Sequence, residues 1–125
     1  MKWEFDNSRP IYLQLVEQLK FQILAGTIPP GGKLESVRDL SREAGVNPNT
    51  MQRALQELER EYLIFANRTT GRFVTEDEEL LAKMRKEIVQ NKMAELIHTF
   101  LQMGFQKDEL VELITSYLEG EKGHE

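Results

Sequence analysis

With 125 residues the chain can build one domain with a modest core plus an appendage, which excludes an elaborate catalytic architecture. It has no cysteine, so disulfide frameworks and thiol nucleophiles are excluded, and the composition fits a reducing, cytoplasmic setting. The net charge of -5 argues against bulk attraction to nucleic acid, and no apolar run reaches signal-peptide or membrane-span length.

The acidity is uneven. Lys and Arg number 10 against 11 Asp and Glu over residues 1–77, but 6 against 10 over 78–125. Within 33–74 the balance is 7 to 6, so a locally basic face remains open to this segment.

Ser8-Arg9-Pro10 supplies a capping residue and a proline, and Gly26 a stop, which predicts a helix near 10–25. Its core stripe at about 100° per residue is Ile11, Tyr12, Leu15, Val16, Leu19 and Ile23. Leu13, Phe21 and Leu24 lie off that stripe, as scattered surface residues or as a second packing surface. The Pro- and Gly-rich stretch 27–32 predicts a loop. Ser36-Val37-Arg38-Asp39 then opens a short helix to about Ala44, with Gly45 placed for a left-handed turn. Asn47-Pro48 caps and starts a third helix, ending near Glu61.

Leu63-Ile64-Phe65-Ala66 and Arg72-Phe73-Val74-Thr75 are strand-forming runs on either side of a turn at 67–71, which predicts a hairpin. Helical periodicity returns from about Asp77, through Leu81, Met84 and Ile88, then Val89, Met93, Leu96, Phe100 and Met103. The second group is rotated from the first, so this helix faces two different neighbours. Gly104-Phe105 ends it, and Leu110, Val111, Leu113, Ile114, Tyr117 and Leu118 are expected to form the inner face of a last helix. The tail from Gly120 to Glu125 is expected to fray.

The second and third helices, with the small Ser41, Gly45 in the turn and Val46 beyond it, have the makings of a helix-turn-helix. Met51, Ala54, Leu55 and Leu58 would face inward. The opposite arc carries Asn49, Gln52, Arg53, Gln56 and Arg60, all donors, with Glu57 and Glu59 at its flanks. Such an arc suits the major groove, where Asn and Gln pair with adenine and Arg with guanine; a polar surface serving only solubility is the plainer alternative. Candidate DNA contacts are Asn47, Asn49, Thr50, Gln52 and Arg53 at the third helix, and Arg38 on the second, which could instead pair with Asp39 or Glu35. Arg68, Thr69, Thr70, Gly71 and Arg72 at the hairpin tip would act as a wing. The fold class is thus α+β, a winged helix-turn-helix over 1–76 followed by an all-α two-helix region over 77–125.

Several segments together resemble the DNA-binding domain of the GntR family of bacterial regulators: Pro10-Ile11-Tyr12-Leu13-Gln14, Gly26 to Leu34, Ser36-Val37-Arg38-Asp39-Leu40, Gly45-Val46-Asn47-Pro48-Asn49-Thr50, Ala54-Leu55 with Glu57-Leu58-Glu59, and Gly71-Arg72-Phe73-Val74. The short two-helix tail is similar to the YtrA subfamily, which implies a dimerising tail and a repressor. Three departures from the pattern stand out: Glu35 stands where proline is usual, Tyr62 where glycine ends the recognition helix, and Thr69-Thr70 where the wing has glycine and a basic residue.

The expected partners are double-stranded DNA and a second copy of the chain, without membrane or cofactor. The dimerisation set is Leu81, Met84, Ile88, Leu96, Phe100, Leu110, Ile114 and Tyr117. Two alternatives stay open: an effector-sensing regulator, with a small molecule between head and tail or across the dimer, and a winged-helix module that binds protein. An enzyme is disfavoured, and the two histidines, His98 and His124, have no cysteine or histidine neighbour in sequence with which to hold a metal.

Overall fold

The computed structural model describes residues 2–124, with side chains through residue 120. Its elements are α1 (Ile11–Leu24), α2 (Val37–Ala44), α3 (Pro48–Arg60), β1 (Ile64–Asn67), β2 (Gly71–Val74), α4 (Glu78–Gln102) and α5 (Lys107–His124). They form two compact units, Met1–Met84 and Arg85–Glu125, so the head runs past the hairpin into the first turns of α4.

The start of α1 differs from expectation. Pro10 occupies the cap position and no side chain caps the helix. Ser8 instead donates its backbone N–H to Asp6 Oδ1 at 2.9 Å, which holds the Asp6 carboxyl below its usual range. The residues before α1 fold back along it because two glutamines act as surrogate backbone. The buried Gln14 accepts from the Asp6 N–H at 2.7 Å and donates to the Asp6 and Arg9 carbonyls at 2.6 and 2.9 Å. One turn later Gln18 makes the same pair of bonds to Glu4. Trp3 and Phe5 alternate with these clamped residues and stack on each other.

The helix-turn-helix is capped as the sequence predicts. Ser36 Oγ accepts the Asp39 N–H, and Asn47 Oδ1 accepts the Asn49 N–H, each taking a donor that the first helical turn leaves free. Gly45 closes α2 at φ 70°, a left-handed conformation that glycine adopts without a Cβ clash. Ser41 is buried and donates its hydroxyl back to the Val37 carbonyl at 2.6 Å, satisfying the group where a larger residue would part the helices. The core lies between α1, α3 and the hairpin: Leu15, Leu19 and Ile23 meet a layer of Met51, Ala54, Leu55 and Leu58, with Leu63, Ile64 and Val74 closing one end, all buried. Leu24, off the α1 stripe, is also buried, while Leu13 and Phe21 stay exposed.

β1 and β2 pair antiparallel in the register Ile64↔Val74 and Phe65↔Phe73. The stretch expected as plain loop joins this sheet. Lys33 bridges Phe73, while Leu34 N–H donates to the Arg72 carbonyl and Val74 N–H to the Gly32 carbonyl, both at 2.9 Å. A turn between Pro29 and Gly32 makes this possible, and a Cβ at Gly32 would sit 2.8 Å from the Pro29 carbonyl oxygen.

Asp77 Oδ1 caps α4 through the Leu80 N–H. Leu81 is buried in the head unit, so the structure removes it from the dimerisation set: its apolar area is already spent within the chain. Leu110 is buried as well and leaves the set for the same reason. The rest of the inner face expected of α5 is corrected in the opposite sense. Val111, Leu113, Ile114, Tyr117 and Leu118 are all exposed, since two helices joined at Gly104 supply no third layer to cover them. Phe100 and Phe105 pack across that joint with their rings tilted by 57° and centroids 5.3 Å apart. The segment expected to fray remains helical to His124, and Glu125 lies outside the described residues.

Candidate nucleic-acid interface

α3 presents the donor arc that its sequence predicts except at Arg60, which is exposed but engaged with Glu57. Asn49, Arg53 and Gln56 are exposed, Thr50 and Gln52 half-buried, and the inward positions Met51, Ala54, Leu55 and Leu58 are fully enclosed. Asn47 has two roles to divide. Its side-chain oxygen is engaged in capping, which leaves its amide NH₂ to donate outward. The flanking acids are engaged too: Glu57 pairs with Arg60 at 3.1 Å, and Glu59 accepts from Arg72 Nε at 2.6 Å. The arc thus stays free of unpaired carboxylates.

Arg72, expected as a wing contact, is half-buried with its charge met by Glu59, so its place in the structure is to tie the base of the wing to α3. At the tip Asn67 Oδ1 accepts both the backbone N–H and the hydroxyl of Thr69, closing the turn from within. Arg68, Thr70 and Gly71 are exposed, and Arg68 has no ion-pair partner among the described residues. Arg38 is exposed at the start of α2 and likewise pairs with neither Asp39 nor Glu35.

Glu35 is occupied elsewhere. Its pKa is raised above the ordinary 4.5, first by a hydrogen bond with the Glu43 carboxyl and then by the Glu43 charge, with desolvation and Asp39 adding to it. Three acids therefore gather at one edge of α2. An open cleft lined by Lys33, Glu35, Ser36, Asp39, Thr70 and Arg72 separates that edge from the wing.

Two members of this surface escape sequence reasoning. Lys33 runs beside the wing, its Cε 3.2 Å from where a Gly71 Cβ would lie, and only the bridge to Phe73 brings it there. Tyr12 of α1 places its ring under the Arg53 guanidinium, 4.5 Å from centroid to Cζ. A periodicity reading assigns Tyr12 to the core stripe and carries no signal for this pairing.

Comparison with known proteins covers both units. Residues 11–74 match the model of the bacterial regulatory proteins of the gntR family. The HTH-type transcriptional repressor YtrA of Bacillus subtilis is 34% identical, over 94% of this chain and 91% of its own length. A GntR family transcriptional regulator from Listeria monocytogenes is 35% identical and superposes with a TM-score of 0.84, covering 90% of this chain and 98% of that one. The DNA-binding domain of AraR, solved in complex with operator ORX1, is 25% identical with a TM-score of 0.56 over 60% of this chain and 96% of its own.

Proposed function

The chain belongs to the gntR family of bacterial regulatory proteins and is a DNA-binding transcription regulator; from that premise we propose that it acts as a homodimeric repressor reading an inverted-repeat operator. The observation that carries the reading is the donor arc of α3, whose flanking acids are each neutralised by an arginine. Asn49, Gln52, Arg53 and Gln56 read base edges in the major groove. Arg38 and Arg68 contact phosphate from α2 and the wing tip, while Asn47 and Arg72 hold α3 and the wing in position.

The second copy is inferred from the tail. Among the described residues, twelve large apolar side chains from Val89 to Leu118 are exposed, a density that a lone chain in water does not sustain. Met84, Ile88, Leu96, Phe100, Ile114 and Tyr117 remain as the dimerisation set. Isologous pairing through this region gives a two-fold axis, and two heads so related meet half-sites about one helical turn apart. The protein works where its operator is, in the cytoplasm.

Selection of bound duplexes from random DNA tests the reading. A palindromic motif with fixed half-site spacing is expected, and its affinity should fall by on the order of 10²-fold between 50 and 200 mM salt, from about four phosphate contacts per dimer. A selection that enriches no motif at low salt would refute it.

A further inference from the structure

Around α3 the usual restraint on a basic side chain is a carboxylate: Lys20 pairs with Glu61, Arg60 with Glu57 and Arg72 with Glu59. Arg53 is held differently. No carboxylate among the described residues reaches it, and its guanidinium lies over the ring of Tyr12. We propose that Tyr12 is a positioning residue for base readout, fixing the plane of the Arg53 guanidinium while leaving its hydrogen-bonding edge free for the guanine of a G·C pair.

The chemistry distinguishes the two restraints. A carboxylate takes N–H donors and cancels the charge, the two properties by which an arginine recognises the O6 and N7 of guanine. An aromatic ring attracts the cation through its face and takes no N–H donor that lies in the plane of a guanidinium stacked on it, whereas a carboxylate binds in that plane. The ring therefore orients Arg53 without consuming what it reads with. Tyr12 is itself well placed to hold it. It sits in the first turn of α1, which the Gln14 bonds to Asp6 and Arg9 secure, and α1 packs directly on α3. Fixing a long side chain before association removes part of the ordering cost of binding.

This inference rests on α3 as the reading helix, and the experiment separates the two claims. Full-length variants are titrated against the duplex selected from random DNA and against its single-base-pair substitutions. Arg53→Ala should flatten preference at one G·C pair, by about 5- to 100-fold. Tyr12→Leu and Tyr12→Gln should lower discrimination at that same pair by about 3- to 10-fold, leaving other positions unchanged. Tyr12→Phe, which keeps the ring, should retain it, and Tyr12→Leu added to Arg53→Ala should cost nothing more there. Having two replacements of different polarity keeps the test open if one fails to fold, as thermal unfolding of each will show.

Unchanged discrimination in a folded Tyr12→Leu or Tyr12→Gln protein, with the Arg53→Ala effect present, overturns the proposal. So does a loss spread evenly over all sequences, or an equal loss in Tyr12→Phe, which would assign the effect to backbone packing or to the hydroxyl. Base preferences that survive Arg53→Ala instead refute the assignment of Arg53 as a reader, before Tyr12 is touched.

Discussion

Head and tail treat their apolar residues in opposite ways. In the head, Leu15, Leu19, Met51, Leu55, Leu58, Leu63 and Ile64 are wholly enclosed, because three helices and a hairpin surround them from several sides. In the second unit Leu110 is buried, but Val89, Met93, Val111, Tyr117 and Leu118 are more than half exposed. Burial at about 25 cal/mol per Å² is the main return on folding, so a helix pair that leaves such residues in water gains little from its own fold. This contrast is the ground for proposing that the head folds as a unit and that the tail is completed by a second copy.

The largest effect should come from separating the two regions. A chain ending at Met84 keeps Leu81 in the head core, and should fold while binding the palindromic duplex on the order of 10²-fold more weakly than the full chain, by gel shift; equal affinity would break the comparison. Within the head, Leu55→Ala should cost about 3 kcal/mol in denaturant unfolding, because it opens a cavity in a fully enclosed layer. Leu113→Ala on the tail should leave the head's unfolding transition unmoved, which sharpens the contrast.

A smaller effect is expected at the wing. Glu59→Gln removes the charge that holds Arg72, and should lower stability by about 1–2 kcal/mol. Tyr62 has the opposite sign. It sits at φ 64° where the chain leaves α3, and its N–H and that of Leu63 bond back to the Glu59 and Leu58 carbonyls, an arrangement that favours glycine. Its side chain is two-thirds exposed and returns little, so Tyr62→Gly should stabilise the head by about 1 kcal/mol in the same unfolding assay.

The smallest effect concerns pH. Glu35 holds its proton to higher pH in the folded chain than in the unfolded one, so its contribution to stability is present below the ordinary 4.5 and is lost as pH rises through the raised value. Glu43→Gln should bring the Glu35 titration back towards 4.5, measured by NMR, and remove that slope.

Much of this was legible in the residues. Ser36, Gly45, Asn47 and Pro48 mark the helix-turn-helix because caps and left-handed turns are local chemistry, and the donor arc follows from helical spacing alone. What was not legible joins distant segments. Nothing local marks Gln14 and Gln18 as clamps, because the backbone they hold lies 8 and 14 residues earlier in the chain. Tyr12 meets Arg53, and Lys33 meets the wing, only through packing that no local pattern encodes. The apolar stripe of α5 was visible, but period alone cannot say which of its residues the chain itself covers; Leu110 is buried and Val111 is left exposed.

Sedimentation equilibrium of the full chain at micromolar concentration tests the contrast between head and tail most directly. The expected mass is twice 14.6 kDa, falling to a single chain when Ile114 and Tyr117 are both changed to Glu. A full-length protein that sediments as a 14.6 kDa monomer, and binds the palindromic duplex no less tightly for it, would contradict the assignment of the tail as the interface.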